Sequence, residues 1–181
     1  KARFFAQTGQ FLPPYDSHET ALQLADRIAL TNAKKVICLG DSFHDETGAR
    51  HMPRATLDLL QSLESLAEWI WITGNHDSVA HFMIGRAEPE IRVRGIALCH
   101  EASRGRPEPE ISGHFHPKIR FRHKGHSIAR RCFLASDTKL IVPAFGALTG
   151  GLDAGHPALQ TAMGRAATAL VPLHDRLLRF P

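Results

Sequence analysis

The chain has 181 residues, 43% of them hydrophobic and 22% charged, with a net charge of +4. That length suits one domain, 1–181, with a core large enough to fold without disulfides or structural zinc, and no apolar run approaches the ~20 residues of a membrane helix. The cysteines Cys38, Cys99 and Cys132 form no C-x-x-C pair, which points to a reducing, cytoplasmic setting and to thiols packed as small apolar groups.

In chain order, "PYDSHETALQLADRIAL" opens a helix that Asp16 or Ser17 can cap, with Ala21, Leu24, Ala25 and Ile28 at helical spacing. "KKVICLGD" is a short buried strand, Val36 to Leu39, closed by Gly40-Asp41. "RATLDLLQSLESLAE" is a second amphipathic helix with Leu59, Leu60, Leu63 and Leu66 on one side, and "WIWITGNHD" is a second buried strand. Helix, strand, helix, strand implies parallel pairing through crossover helices. The second half is richer in strands. "EIRVRGIALCHE" alternates and then turns apolar to Cys99, "RGRPEPE" is a proline-broken loop, and "ISGHFHPKIRFR" turns at Gly-His and alternates from Lys118. "KLIVPAFGALTGG" is a strand with a glycine-rich turn, and "TALVPLHDRLLRF" reads as a closing hairpin. The fold class expected is α/β, with two packed mixed sheets flanked by helices.

Four apolar segments end in metal-capable groups: Asp41, then Asn75 and His76, then His100, then His114 and His116. In α/β sheets, sites gather at the carboxyl ends of strands. Carboxylate, amide and imidazole together suit manganese, iron or zinc. Each motif alone is common; the ordered set G-D, G-N-H-D, H, G-H-x-H is not.

With "GDSFHD" (40–45), "GNHD" (74–77), "CHE" and "GHFH" (113–116), the sequence resembles the calcineurin-like metallophosphoesterases. The resemblance implies a four-layer αββα sandwich holding two divalent metal ions, Mn2+ with Fe or Zn as alternatives. It implies that Asp41 bridges the metals, that Asn75, His100 and His114 complete one, and that His116 binds the other. His76 would be the catalytic imidazole, with His44 or Asp45 orienting it or contacting phosphate. The family opens with Asp-x-His on a first strand. No such motif precedes Asp41, so that strand either lies upstream of the quoted chain or has been lost.

"FAQTGQFLPPYDSHET", "CLGDSFHD" and "PAFGALTGG" resemble, more narrowly, the bacterial ligase-associated metallophosphoesterases. That family is predicted to contain DNA-damage-response endonucleases working beside an ATP-dependent DNA ligase, an exonuclease-like protein and a helicase. The implied function is a phosphodiesterase acting on DNA in repair. The alternatives are a phosphodiesterase for small or cyclic nucleotides, and a non-catalytic scaffold that binds nucleic acid or protein. Residues 118–131, "KIRFRHKGHSIARR", carry six Lys or Arg and no acid. Lys118, Arg120 and Arg122 alternate, so they share one strand face and can follow a phosphate backbone; a solvated edge strand has the same pattern. Trp69 and Trp71 sit inside an apolar run and are read as core.

Overall fold

The structure is a computed structural model that describes residues 9, 15–42, 52–75, 85–164 and 167–180. The chain divides into two compact units, one of residues 1–89 with 145–148 and one of residues 90–144 with 149–181.

The first unit contains helix α1 (Asp16–Thr31), strand β1 (Lys35–Cys38), helix α2 (Arg54–Glu64), strand β2 (Glu68–Ile72) and strand β3 (Arg86–Glu88). The three strands form an all-parallel sheet in the order β1-β2-β3. Lys35 to Cys38 lie opposite Glu68 to Trp71, so the expected parallel pairing across a crossover helix is what the chain adopts. The driving force is burial. Trp69, Ile70, Trp71 and Ile72 are all buried, as expected of a parallel strand covered on both faces. Trp69 and Trp71 lie on one face, their rings stacked 5.8 Å apart, and pack with Ile28, Leu60 and Leu63 from the two helices. The tryptophans are therefore core residues. Trp69 Nε1 donates to the Leu63 carbonyl at 3.3 Å, which satisfies its polar tip.

Two details differ from the sequence expectation. Helix α1 starts after Tyr15 with no side-chain cap, so neither Asp16 nor Ser17 caps it; Asp16 and Glu19 sit instead in its first turn, where the helix dipole favours acids. Leu66 lies past the end of α2 and is 53% exposed. Thr56 takes the inward place, buried, with its hydroxyl 3.2 Å from His18 Nδ1.

The second unit contains β4 (Glu90–Val93), β5 (Ile96–Cys99), β6 (Glu110–Ser112), β7 (Lys118–His123), β8 (His126–Arg131), β9 (Phe133–Ala135), β10 (Lys139–Ile141), helix α3 (Pro157–Met163), β11 (Thr168–Pro172) and β12 (Leu177–Phe180). Seven strands make a mixed sheet, β12-β11-β9-β10-β6-β5-β4, and β7 and β8 form a separate two-stranded ribbon. "EIRVRGIALC", read above as one run, is a hairpin: β4 and β5 pair antiparallel around Arg94 (φ 50) and Gly95 (φ 81). Positive φ at both central residues is the type I′ geometry that matches strand twist. Lys124 (φ 49) and Gly125 (φ 80) do the same between β7 and β8. The expected closing hairpin is β11 with β12. The core of this unit joins Cys132, Leu134 and Ile141 to Leu159 and Met163 of α3. The fold class is thus the mixed α/β one expected. Among the described residues no helix is long and apolar enough to cross a membrane.

Cys38, Cys99 and Cys132 form no disulfide. Burial, with Asp153 adding a smaller push, raises Cys132 from an ordinary 9.0 to about 11. A raised thiol pKa means the folded state holds its proton more tightly than the unfolded chain does. Stability from this group is therefore complete below about pH 9 and is lost as pH climbs from 9 to about 11. The urea midpoint of the wild type should fall across that window, by the equivalent of about 2–3 kcal/mol. In Cys132→Ala that part of the fall should be missing.

Candidate metal centre

In each unit a pair of neighbouring parallel strands ends close to the residues singled out as ligands. In the first unit, β1 and β2 end together, with Cys38 opposite Trp71. Asp41 follows β1 and is half-buried, and Asn75 follows β2 and is exposed. In the second unit, β5 and β6 are parallel, with Cys99 opposite Ser112. His100 follows β5, buried at 6% exposure, and His114 follows β6 two residues on. The Gly113 N–H donates to the His100 carbonyl at 2.9 Å, which ties the two strand ends together.

That tie sets the imidazoles against each other. His114 Nδ1 lies 3.0 Å from His100 Nε2, and the rings meet edge to face at 84°, centroids 4.9 Å apart. Phe115 closes the other side of His114, its ring 4.8 Å away. Two imidazole nitrogens on one cation, each about 2.0–2.1 Å from it, stand about 3.0–3.4 Å apart. The His100–His114 pair already has that spacing, so these residues fit a divalent cation.

Backbone conformation singles out the same positions. Among the described residues, seven non-glycine residues have positive φ: Asn32, Asp41, Arg94, His114, His116, Lys124 and Leu148. Asn32 is the left-handed cap of α1, and Arg94 and Lys124 are hairpin turns. Three of the remaining four are Asp41 (φ 49), His114 (φ 61) and His116 (φ 49). A non-glycine residue held there costs about 1–3 kcal/mol, and such strain clusters at functional sites. His116 is held by its neighbours: a Cβ added to Gly151 would overlap the His116 carbonyl, and the Leu152 N–H donates to the Phe115 carbonyl at 3.2 Å. The "TGG" turn therefore serves as the bed on which the His116 segment lies.

The row Lys118, Arg120, Arg122 lies on β7 as expected. Lys118 is half-buried and its ammonium donates to the Thr149 carbonyl at 3.1 Å, while Arg120 and Arg122 are exposed. Arg120 Nε is 4.0 Å from Asp153 Oδ2. Sequence reading missed that Arg131 stands opposite Lys118; the signal was the Lys124-Gly125 turn. His44, Asp45 and His76 lie outside the described residues.

Buried charge supports the base of the same strands. Glu110, which opens β6, is 2% exposed and faces Lys139 across β10. Burial pushes the Cys99 thiol, next to His100, up to about 11, with Glu110 as the second cause, so it stays protonated at neutral pH.

No family model matches this sequence, and no match was found among curated proteins. Among solved structures the chain is similar to the crystal structure of Pseudomonas putida nuclease MPE, with a TM-score of 0.69 and 25% sequence identity, over 93% of this chain and 82% of that one.

Proposed function

We propose that this protein is a metal-dependent phosphodiesterase that cuts DNA, with Mn2+ as its working ion and a role in DNA repair. The observation that carries the reading is the pair of imidazole nitrogens 3.0 Å apart at the ends of two parallel strands, in a chain structurally similar to a bacterial nuclease. In this reading His100 and His114 give their paired nitrogens to one ion, and Asp41, Asn75 and His116, named by the sequence motifs, are the further ligands of a two-ion centre. When bound, such ions supply Lewis acidity to the phosphoryl oxygens and lower the pKa of water.

The chain's own residues do the rest. His100 is held by burial and by the Gly113 N–H on its carbonyl, so it presents one fixed nitrogen. His114 is clamped between His100 and Phe115. His76 of "GNHD" is proposed to give its proton to the leaving oxygen, with His44 or Asp45 setting its orientation.

The test uses intact protein with MnCl2 or EDTA, on supercoiled plasmid and on bis-p-nitrophenyl phosphate. Nicking with Mn2+ that EDTA abolishes is the expected result. Turnover of the chromogenic diester with untouched plasmid would point to a small substrate, and loss of both would leave the scaffold reading.

A further inference from the structure

The β7–β8 ribbon sorts its side chains sharply. Its register pairs Lys118 with Arg131, Arg120 with Ala129 and Arg122 with Ser127 on one face. Ile119 with Arg130, Phe121 with Ile128 and His123 with His126 form the other face. The second face is anchored. Phe121 stacks on Phe180, centroids 5.6 Å apart, and Ile119 packs on the Cys132–Leu134 core. The first face therefore points away from that core, and Arg120, Arg122, Ser127 and Ala129 on it are exposed.

This outward face has a definite chemistry. Residues 118–131 contain no acid, and the face has no aromatic ring. Single-strand binders rely on aromatic platforms on which bases stack, and here the ribbon's only aromatic apart from its histidines, Phe121, is turned inward. Ser127 and Ala129 are short, which leaves the guanidinium groups opposite them room to spread. A six-residue strand spans about 20 Å, with cations about 7 Å apart along β7. A duplex carries one phosphate charge per ~1.7 Å of axis, twice the density of a single strand, and a two-stranded ribbon matches the dimensions of its major groove.

We infer that the outward face of the β7–β8 ribbon docks duplex nucleic acid through its phosphates, without reading sequence, and that Asp153 competes with phosphate for Arg120. The inference rests on the reading above, in that a phosphodiester chain is what the protein engages. Asp153 lies 4.0 Å from Arg120 and is anchored by accepting the Gly155 N–H at 3.0 Å. An arriving phosphate takes over Arg120 and leaves Asp153 on that backbone contact.

The test is fluorescence anisotropy with the intact chain in EDTA, so that binding is read without cutting. The probes are 30-base-pair duplexes of two unrelated sequences and a single strand of equal length. Wild type should prefer duplex and bind both sequences alike. Arg120→Ser with Arg122→Ser should weaken duplex binding about tenfold or more and lower the slope of log K against log salt by about 1.8, at ~0.9 per phosphate contact. Asp153→Asn should tighten binding by about two- to fivefold, because the amide keeps the Gly155 bond and drops the charge. Arg27→Ser with Arg54→Ser on the helices should leave the slope unchanged. An unchanged slope in the ribbon variant, tighter binding to the single strand, or weaker binding in Asp153→Asn would overturn the inference. A protein that binds duplex through the ribbon yet cuts nothing with Mn2+ would sink the hydrolase reading alone. A ribbon variant that cuts plasmid with wild-type KM would sink the ribbon alone.

Discussion

His114→Ala is expected to lower Mn2+-supported turnover of bis-p-nitrophenyl phosphate by about 10²–10³-fold. A cation in such a centre contributes several kcal/mol of charge stabilisation. Losing about 3–4 kcal/mol of it, at 1.36 kcal/mol per tenfold, gives that range. The effect should be large because His114 is half of the pair set at 3.0 Å, and its remaining partner, His100, is buried where no other imidazole replaces the lost nitrogen among the described residues. Two readouts separate this from a folding defect. Elemental analysis should show manganese lost from the variant, and thermal unfolding should show that Mn2+ no longer stabilises it. In the wild type, Mn2+ at a hundred times its Kd should add about 2.7 kcal/mol. Asp41→Asn should move all three measurements in the same direction. His174→Ala, exposed in the turn between β11 and β12, should move none. Full metal content and turnover in His114→Ala would refute the ligand assignment.

The features legible in the sequence were those set by local chemistry with a strong period or terminus. "WIWI" is apolar without a break, so its burial could be read directly, and the groups beyond each strand end were visible because apolar runs stop there. Three kinds of feature were hidden. The hairpins β4–β5 and β7–β8 turn on Arg94-Gly95 and Lys124-Gly125, which lack the Asn or Asp that usually marks a type I′ turn. Helix α3 has seven residues, too few for a helical period to show, although Pro157 at its start and Gly164 (φ 66) at its end are the standard boundary residues. Glu110 and Lys139 looked like surface charges, because residues of those types are almost never fully buried unless paired. Their pairing comes from strands 29 residues apart in sequence, 110 against 139, meeting in register, and no local pattern announces that. At the candidate metal centre, the residue types could be read from the sequence, but the 3.0 Å spacing of the His100–His114 pair depends on the parallel register of β5 and β6.

That hidden pair carries the largest expected effect on stability. Glu110 accepts the Ser103 N–H at 3.0 Å, lies 3.6 Å from Lys139 Nζ and 3.7 Å from Arg106 Nε. Lys139 Nζ also donates to the Ser103 and Ala162 carbonyls, each at 2.6 Å. It thereby joins β10 to the loop before β6 and to α3. Removing the carboxylate strands a buried ammonium with only neutral acceptors and leaves the Ser103 N–H unpaired. Breaking a buried pair from one side costs about 3–5 kcal/mol, a large part of the roughly 5–15 kcal/mol that holds a domain together. Glu110→Ala should therefore lower the urea midpoint by about 1.5–2.5 M, taking a slope near 2 kcal/mol per molar. Glu110→Leu with Lys139→Met should cost less than Glu110→Ala alone, because no unpaired charge remains. A double variant as unstable as the sum of its parts would show that the two side chains act independently. Glu110 stands at the start of β6 and His114 just beyond its end, so this pair braces the strand that carries the imidazole without touching the proposed chemistry. At temperatures where Glu110→Ala remains folded, its turnover with Mn2+ should stay within a few-fold of wild type, whereas His114→Ala should show its full loss of about 10²–10³-fold while folded, at about 1.36 kcal/mol per tenfold.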